Sequence, residues 1–547
     1  MASGDLITRI ASQDTLLSVQ EMIRQMSAVI VDASKMDWKA IFEARATGEV
    51  YTTKFYTYET DKSPAGVKMN ASARLRCTPS TETIKGTDDF ALRNAFSYTD
   101  CNFICDDSGK RVPSKIAGQA GFSYTGKVDV GILTPPTYWA IEEHFSEGYY
   151  LVHFSDKKHE ELNMVATPWC KDPSGYEMGY GIVTKYYAGL IDEILYSSSG
   201  IAPKGFISYE SGHSLLQKKG TGYFGSGSER TAYLMLMLWL KYATKNQQTV
   251  FRGCVDYNFQ YTVAEATSNC DYLIIPTSQA NNLVVGGCVS IGDPGSKTDH
   301  DRGQPYMFNI LDRVRVKKIE PISGTSNSKV YVTGGTFSTT ATTMISTEPC
   351  YSGETDNILG ADGYVANDGK HSFRLNGVEE GIGAYFISMN EIWDKETATV
   401  VSNYVRGNAT WNNTANGYTK VGTFDMGTTN DQWIGDITVD VNTGVFYPRV
   451  YGSGDSVGAG DMQWKGGTGT GKRQALQRGG LGVGSDAGLA NSNLRNELSN
   501  ARWNYAVAIF IIRLDGGSVV FHTDEPCCLN MWHLNKLQGG YRTYTFW

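Results

Sequence analysis

Two pairs of adjacent carboxylates, Glu142-Glu143 and Glu379-Glu380, are the first places where this chain could do chemistry. Glycoside hydrolysis needs two carboxyl groups facing each other across a sugar ring. Neighbours along a strand point to opposite faces, so neither pair makes a site alone. Glu379 is expected to be a structural hydrogen-bond acceptor. Cys254 follows an apolar helix and has the form of a thiol nucleophile, but no His or carboxylate stands at a spacing that would activate it. A buried structural thiol is the expectation. The glycine run GGTGTGK (466–472) lacks the Ser or Thr after Lys and the preceding strand of a phosphate loop, and is expected to be a flexible loop. Asp431, Asp436 or Asp440 offers oxygen ligands for a structural Ca2+. The favoured reading instead puts Asp436, Thr438 and Asp440 on the polar face of a strand whose other face carries Ile437 and Val439.

The ten cysteines include no paired CxxC spacing, and the lone Cys101-x3-Cys105 has no second half-site for zinc. Adjacent Cys527 and Cys528 cannot readily bridge each other, so free thiols of a protein folded in a reducing cytoplasm are expected. The eight histidines form no HExxH pair. No catalytic residue, metal or cofactor is therefore assigned, and an enzyme is not expected.

At 547 residues the chain exceeds what one core usually serves, and two to four domains are expected. A composition of 41% apolar and 19% charged residues with 60 Gly points to folded, turn-rich, β-rich architecture. A formal net charge of −8 with dispersed Lys and Arg lacks the basic footprint that phosphate neutralisation needs, which argues against nucleic acid. The start, MASGDLITRIASQD, carries no basic-then-apolar leader, and no apolar run approaches the roughly 20 residues that span a bilayer. Membrane insertion is not expected; AYLMLMLWL (232–240), apolar nearly all round, is predicted to be a helix inside a core.

The elements that must position any site are read from periodicity. Leu16, Val19, Ile23, Met26 and Ile30 recur at spacings of 3, 4, 3 and 4, a short coiled-coil seam that either self-associates or packs on its own domain. Strands are predicted over 50–58 and 149–155. A small barrel is predicted from strand signals at 272–275, 283–285, 314–319 and 330–332 separated by turn residues. The expected organisation is an N-terminal helical attachment segment (1–45), a small β-domain (46–145), a first scaffold part (146–263), an inserted β-module (264–370), a second scaffold part (371–514) and an extension (515–547).

The most informative stretch is GGLGVGSDAGLANSNLRNELSNARWNYAVAIFIIR (479–513). Close glycines permit tight backbone approach, Asn and Ser satisfy irregular backbone, and an apolar strand over 507–512 closes the run. Through GGLGVGSDAGL (479–489) and LSNARWNY (498–505), this segment resembles the C-terminal region of phage-encoded C-type lectin-like proteins, including targets of diversity-generating retroelements. KYATKNQQTVFRGC (241–254) with DYN (256–258), and GVEEGIGAY (377–385), are similar to other elements of that fold in phage proteins of gut Firmicutes. DCN (100–102) and DDSGK (106–110) look like their N-terminal β-domain.

The resemblance implies an α+β, β-rich multidomain protein with a C-terminal C-type lectin-like fold of the formylglycine-generating-enzyme type. It makes Gly480, Gly482, Gly484, Ala487, Gly488, Leu489, Leu498, Ser499, Ala501 and Trp503 scaffold. It makes Ser485, Asp486, Ala490, Asn491, Ser492, Asn493, Arg495, Asn496, Arg502, Asn504 and Tyr505 the ligand-binding surface. Enzymes on this fold use reactive cysteines or metal-binding histidines near the C-terminal core, and 479–513 contains neither. The implied function is a phage virion adhesin, a tail or head fibre made in the bacterial host cytoplasm. Its N-terminal part would attach to other virion proteins as a homo-oligomer, with a trimer favoured, and its C-terminal face would bind a bacterial surface glycan or protein. A capsid or tail decoration protein and a capsule depolymerase are the alternative readings.

Overall fold

The computed structural model describes residues 33–106, 109–294, 305–428 and 431–511. The heptad stripe at 16–30 and the extension carrying His522, Cys527 and Cys528 lie outside them. Strand accounts for 37% of the chain and helix for 12%, which places the protein in the β-rich class.

At the centre lies the helix Ser228–Tyr242, with all but its last residue buried. A helix apolar on every side has no face to give to water, and this one is enclosed by Phe55, Trp139, Phe154, Trp169, Phe373 and Phe446. It ends at Ala243, whose left-handed φ of 50° stops the helix. Two of its three charged residues are neutralised inside. Lys241 Nζ lies 3.0 Å from Asp88 and 2.7 Å from Asp362, while Arg230 pairs with Glu380.

One covering sheet has the antiparallel order Val67–Asn70, Tyr51–Tyr56, Tyr149–Ser155, Tyr138–His144, Val165–Ala166. A second runs Arg111–Ile116, Thr99–Cys105, Val130–Thr134, Gly181–Thr184. Its last strand comes from beyond residue 145, so the sheets of the N-terminal half cross the boundary expected there.

The inserted module is a near-closed barrel with the strand order Gln260–Thr262, Met344–Thr347, Cys288–Gly292, Leu311–Pro321, Asn327–Val332, Tyr272–Pro276. A bridge from Glu265 to Ile274 brings its first and last strands together. Inside sit Leu273, Ile275, Val289, Ile291, Val316, Val330 and Val332, a core separate from the rest. The strand expected at 283–285 is a turn. Val284 N–H donates to Tyr257 Oη at 3.1 Å and Gly286 adopts φ 92°, a conformation that ends extension.

The C-terminal half is built on a nine-stranded sheet. Its main path is Thr419–Asp425, Val400–Val405, Tyr385–Lys395, Gly471–Gln477, Ser492–Asn493, Asp461–Trp464, Asp431–Val439, Phe446–Tyr451. Tyr223–Gly225, just before the central helix, pairs antiparallel with Ile509–Ile511.

The polar face expected of Asp436, Thr438 and Asp440 does not form. Register shifts on both sides of Asp436 break the two-residue alternation. Asp436 turns fully inward, 2.7 Å from both Lys245 Nζ and Arg449 Nη2.

Candidate functional site

The glycines of 479–489 hold backbone where no side chain fits. A Cβ at Gly482, where φ is 77°, would lie 2.0 Å from Asn258 Nδ2, and one at Gly488 would lie 2.3 Å from Asp461 Oδ1. The run that follows is packed inside rather than displayed. Ala490, Asn491, Ser492, Asn493, Asn496, Asn504 and Tyr505 are all buried, which corrects the expectation that they face solvent.

The physical reason is that most of their polar groups are satisfied internally, although Asn491 Oδ1 has no hydrogen-bond partner among the described residues. Asn491 Nδ2 donates to Met462 O at 2.7 Å and to Asp486 O at 3.0 Å. Ser492 Oγ accepts from Gln463 Nε2 at 3.2 Å. Asn493 Oδ1 accepts from Arg495 N–H at 2.9 Å and from Asn496 Nδ2 at 3.4 Å. Asn504 packs against Gly480, and Tyr505 meets Tyr385 edge-on.

Four of the expected surface residues do reach solvent. Arg495 and Arg502 are exposed, while Ser485 and Asp486 are half-buried on a turn that Gln248 clamps through bonds to Ser485 O and Ala487 O. Between Arg495 and Arg502 the structure adds Glu497, Ser499, Asn500 and Ala501, all exposed. Ser499 and Ala501 carry the opposite expectation, that of buried scaffold. Buried and exposed residues alternate from Leu494 to Ser499, so Leu494, Asn496 and Leu498 anchor what Arg495, Glu497 and Ser499 present.

The backbone of this rim is pinned from below. Gln474 N–H donates to Asn496 O and its Nε2 to Asn500 O, Glu210 N–H donates to Leu498 O, and Phe206 N–H donates to Arg502 O. Arg495 Nη2 reaches Asp431 Oδ2 at 2.5 Å, and Arg473 lies 3.8 Å from Glu497.

The catalytic candidates are committed to structure. Glu379 accepts from Gly353 N–H, Thr355 N–H and Thr355 Oγ1 while burial pushes its carboxyl up to about 7. Glu380 is enclosed by Arg230, Arg478 and Tyr187, and the flanking guanidiniums hold its carboxyl below the usual range against the cost of burial. Glu142 bonds His144 and His153. Cys254 lies buried beside Cys350, and burial raises the pKa of its thiol.

The glycine run at 466–472 follows the strand Asp461–Trp464, contrary to expectation, but it is organised as a structural loop. Lys395 Nζ donates to the carbonyls of Lys465, Gly466 and Gly467, and Lys472 is paired with Asp394. The aspartates considered for Ca2+ have other partners: Asp431 holds Arg495, Asp436 holds Lys245 and Arg449, and Asp440 accepts from Thr443. Cys77, Asp88 and Asp362 converge as metal ligands would, but the Lys241 ammonium sits between the two carboxylates as their cation.

A cleft of about 370 Å3 escaped the sequence reading. Lys171, Glu229, Asn390, Arg406 and Phe510 are among the residues that border it. The signal that could have found it is Glu229-Arg230 opening a helix with no polar face, since buried charge needs a partner.

No protein-family model matches the chain, and no curated protein matches it by sequence. No described helix is long and apolar enough to cross a membrane.

Proposed function

We propose that the chain is a bacteriophage virion adhesin: a non-catalytic receptor-binding protein whose C-terminal half is C-type lectin-like and attaches to a glycan or protein of the bacterial surface. The observation that carries this reading is the rim from Arg495 to Arg502. Up to Ser499 exposed side chains alternate with buried anchors, Asn500 to Arg502 are all exposed, and the backbone is fixed by the chain beneath. A surface ordered before binding loses little entropy when a ligand arrives, which is how a small polar patch gains affinity. Such a rim also tolerates exchange of its outward side chains, because the bonds that hold it are made by main chain.

Homo-oligomerisation, with a trimer favoured in this reading, multiplies weak single contacts on a particle. The buried placement of Glu379, Glu380 and Cys254 favours binding over the depolymerase alternative. The test is saturable attachment of the fluorescently labelled full chain to a panel of bacterial strains. The reading expects retention by a subset of strains with cell envelopes left intact. Absence of binding to every strain, or release of capsule fragments, contradicts it.

A further inference from the structure

The cleft bordered by Glu229 and Arg406 holds charges that the protein leaves uncompensated. Arg406 is 2% exposed, its guanidinium carbon stands 4.2 Å from the Phe224 ring centroid, and its Nε and Nη1 have no hydrogen-bond partner among the described residues. Arg111, 3% exposed, lies 3.9 Å from the Phe510 ring that forms part of the cleft wall. It donates through Nη2 to Trp169 O at 3.0 Å, but its Nε and Nη1 are also without partners among the described residues. Buried guanidinium donors that meet no acceptor are rare and costly, and they point to a group that completes them.

Glu229 is the countercharge nearest in character, yet it forms no ion pair among the described residues. Its Oε1 is committed to Ser226 Oγ at 2.5 Å and Gly227 N–H at 2.8 Å, so Oε2 remains for a donor arriving from the cleft. Asn390 is held on the other side by two bonds with Ser228, and Lys171 at the opposite wall makes one long bond, 3.3 Å, to Asn442 O. Lys171 and Arg406 share the lining with Glu229 and Asp172, and Asp172 is turned onto its own turn through Ser174 and Tyr176, so the buried guanidinium of Arg406 is left without a paired carboxylate among the described residues.

We propose that this cleft is a ligand site for an acidic saccharide unit, a pyranose ring that carries a carboxylate. The carboxylate compensates Arg406 and Lys171, a ring hydroxyl donates to Glu229, and the apolar face of the sugar lies on Phe510. Each requirement excludes a simpler ligand. A neutral sugar brings no anion, and a plain carboxylate or an acidic peptide side chain brings no hydroxyl for Glu229. The volume is at the small end of the roughly 300–1,000 Å3 of small-molecule sites, which suits one or two sugar units rather than an extended chain. The site does not depend on the Arg495–Arg502 rim and stands or falls separately from it.

The experiment titrates the full chain with methyl glucuronide, methyl glucoside and acetate, following binding by calorimetry and by saturation transfer to the ligand. The glucuronide is expected to bind at least about tenfold more tightly than either control. Lys171→Glu, at the mouth of the cleft, is expected to weaken it at least about tenfold with the melting temperature unchanged. Arg406→Gln is expected to abolish binding; because Arg406 is buried, Lys171→Glu decides the matter if that variant does not fold. Equal binding of the glucoside or of acetate, no glucuronide binding at millimolar concentration, or an unaltered affinity in Lys171→Glu overturns the proposal.

Discussion

Asn491 Nδ2 donates to the Met462 main-chain carbonyl at 2.7 Å, and the asparagine has no exposed surface. A residue type that reads as a solvent-facing contact is thus a rivet between the 484–491 turn and the sheet. The neighbouring Ser492 and Asn493 are themselves a strand, hydrogen-bonded to Asp461–Trp464 on one side and Gly471–Gln477 on the other. Recognition, in this account, passes to the next few residues, from Arg495 onward.

Asn491→Ala should therefore destabilise the protein instead of weakening attachment directly. It strands two buried carbonyls, a loss of about 1–3 kcal/mol. Arg502→Ala, on the exposed rim, should fall within about 0.5 kcal/mol of the parent. Urea denaturation of the two variants measures both, and an Asn491→Ala protein as stable as the parent would contradict the buried placement.

Asp436 anchors a second junction. It is paired with Lys245 and Arg449, and it also accepts from the Tyr58 N–H at 2.6 Å. Asp436→Ala leaves Lys245 buried without its carboxylate, and removal of one partner of a buried pair costs about 3–5 kcal/mol. Such a loss should lower the midpoint of thermal unfolding by several degrees, whereas Glu59→Ala, which removes the exposed partner of Arg449, should barely move it.

His213 gives the fold an acid-sensitive point. Its ring is stacked on Trp411 with centroids 4.9 Å apart, and burial, with the Arg406 charge adding, pushes its pKa down to about 3. The unfolded chain binds this proton near pH 6.5 and the folded chain does not. Stability from this residue is thus complete above pH 6.5 and is lost as pH falls from there toward 3, at up to about 1.4 kcal/mol per pH unit. His213→Phe should flatten that slope in stability measured against pH; an unchanged slope would show that the imidazole is free to protonate in the folded state.

Thiol reactivity should divide by position. Cys101, Cys170, Cys254, Cys288 and Cys350 are buried, whereas Cys270 is partly exposed on the barrel module. Brief iodoacetamide treatment of the native protein, mapped by mass spectrometry, should modify Cys270 and spare the five buried thiols, because an alkylating agent needs access and thiolate. Early labelling of Cys254 would revive it as a nucleophile.

Much of the fold was legible in the sequence because periodicity and burial agree there. AYLMLMLWL had no polar face and became the buried helix, and the alternating runs of the 264–351 region became the barrel with its own core. The recognition run was misread because polarity was equated with exposure. Asn491, Ser492 and Asn493 are inside because the surrounding chain meets the Asn491 amide nitrogen, the Ser492 hydroxyl and the Asn493 carbonyl oxygen, and nothing local in the sequence says which distant carbonyl will be waiting. Asp436 escaped for a related reason, since the bulges that turn it inward are set by pairing with Phe446–Tyr451. Arg406 and Glu229 meet at one cleft only after some 180 residues of intervening chain have folded between them.

The most direct test of the central claim compares attachment of two proteins to a strain that binds the parent chain: the triple variant Arg495→Ala, Asn500→Ala, Arg502→Ala and the unmodified protein, at matched melting temperature. The account predicts that the triple variant loses at least about tenfold in cell-binding affinity. Attachment equal to that of the parent would show that the rim is not where the bacterial surface is recognised.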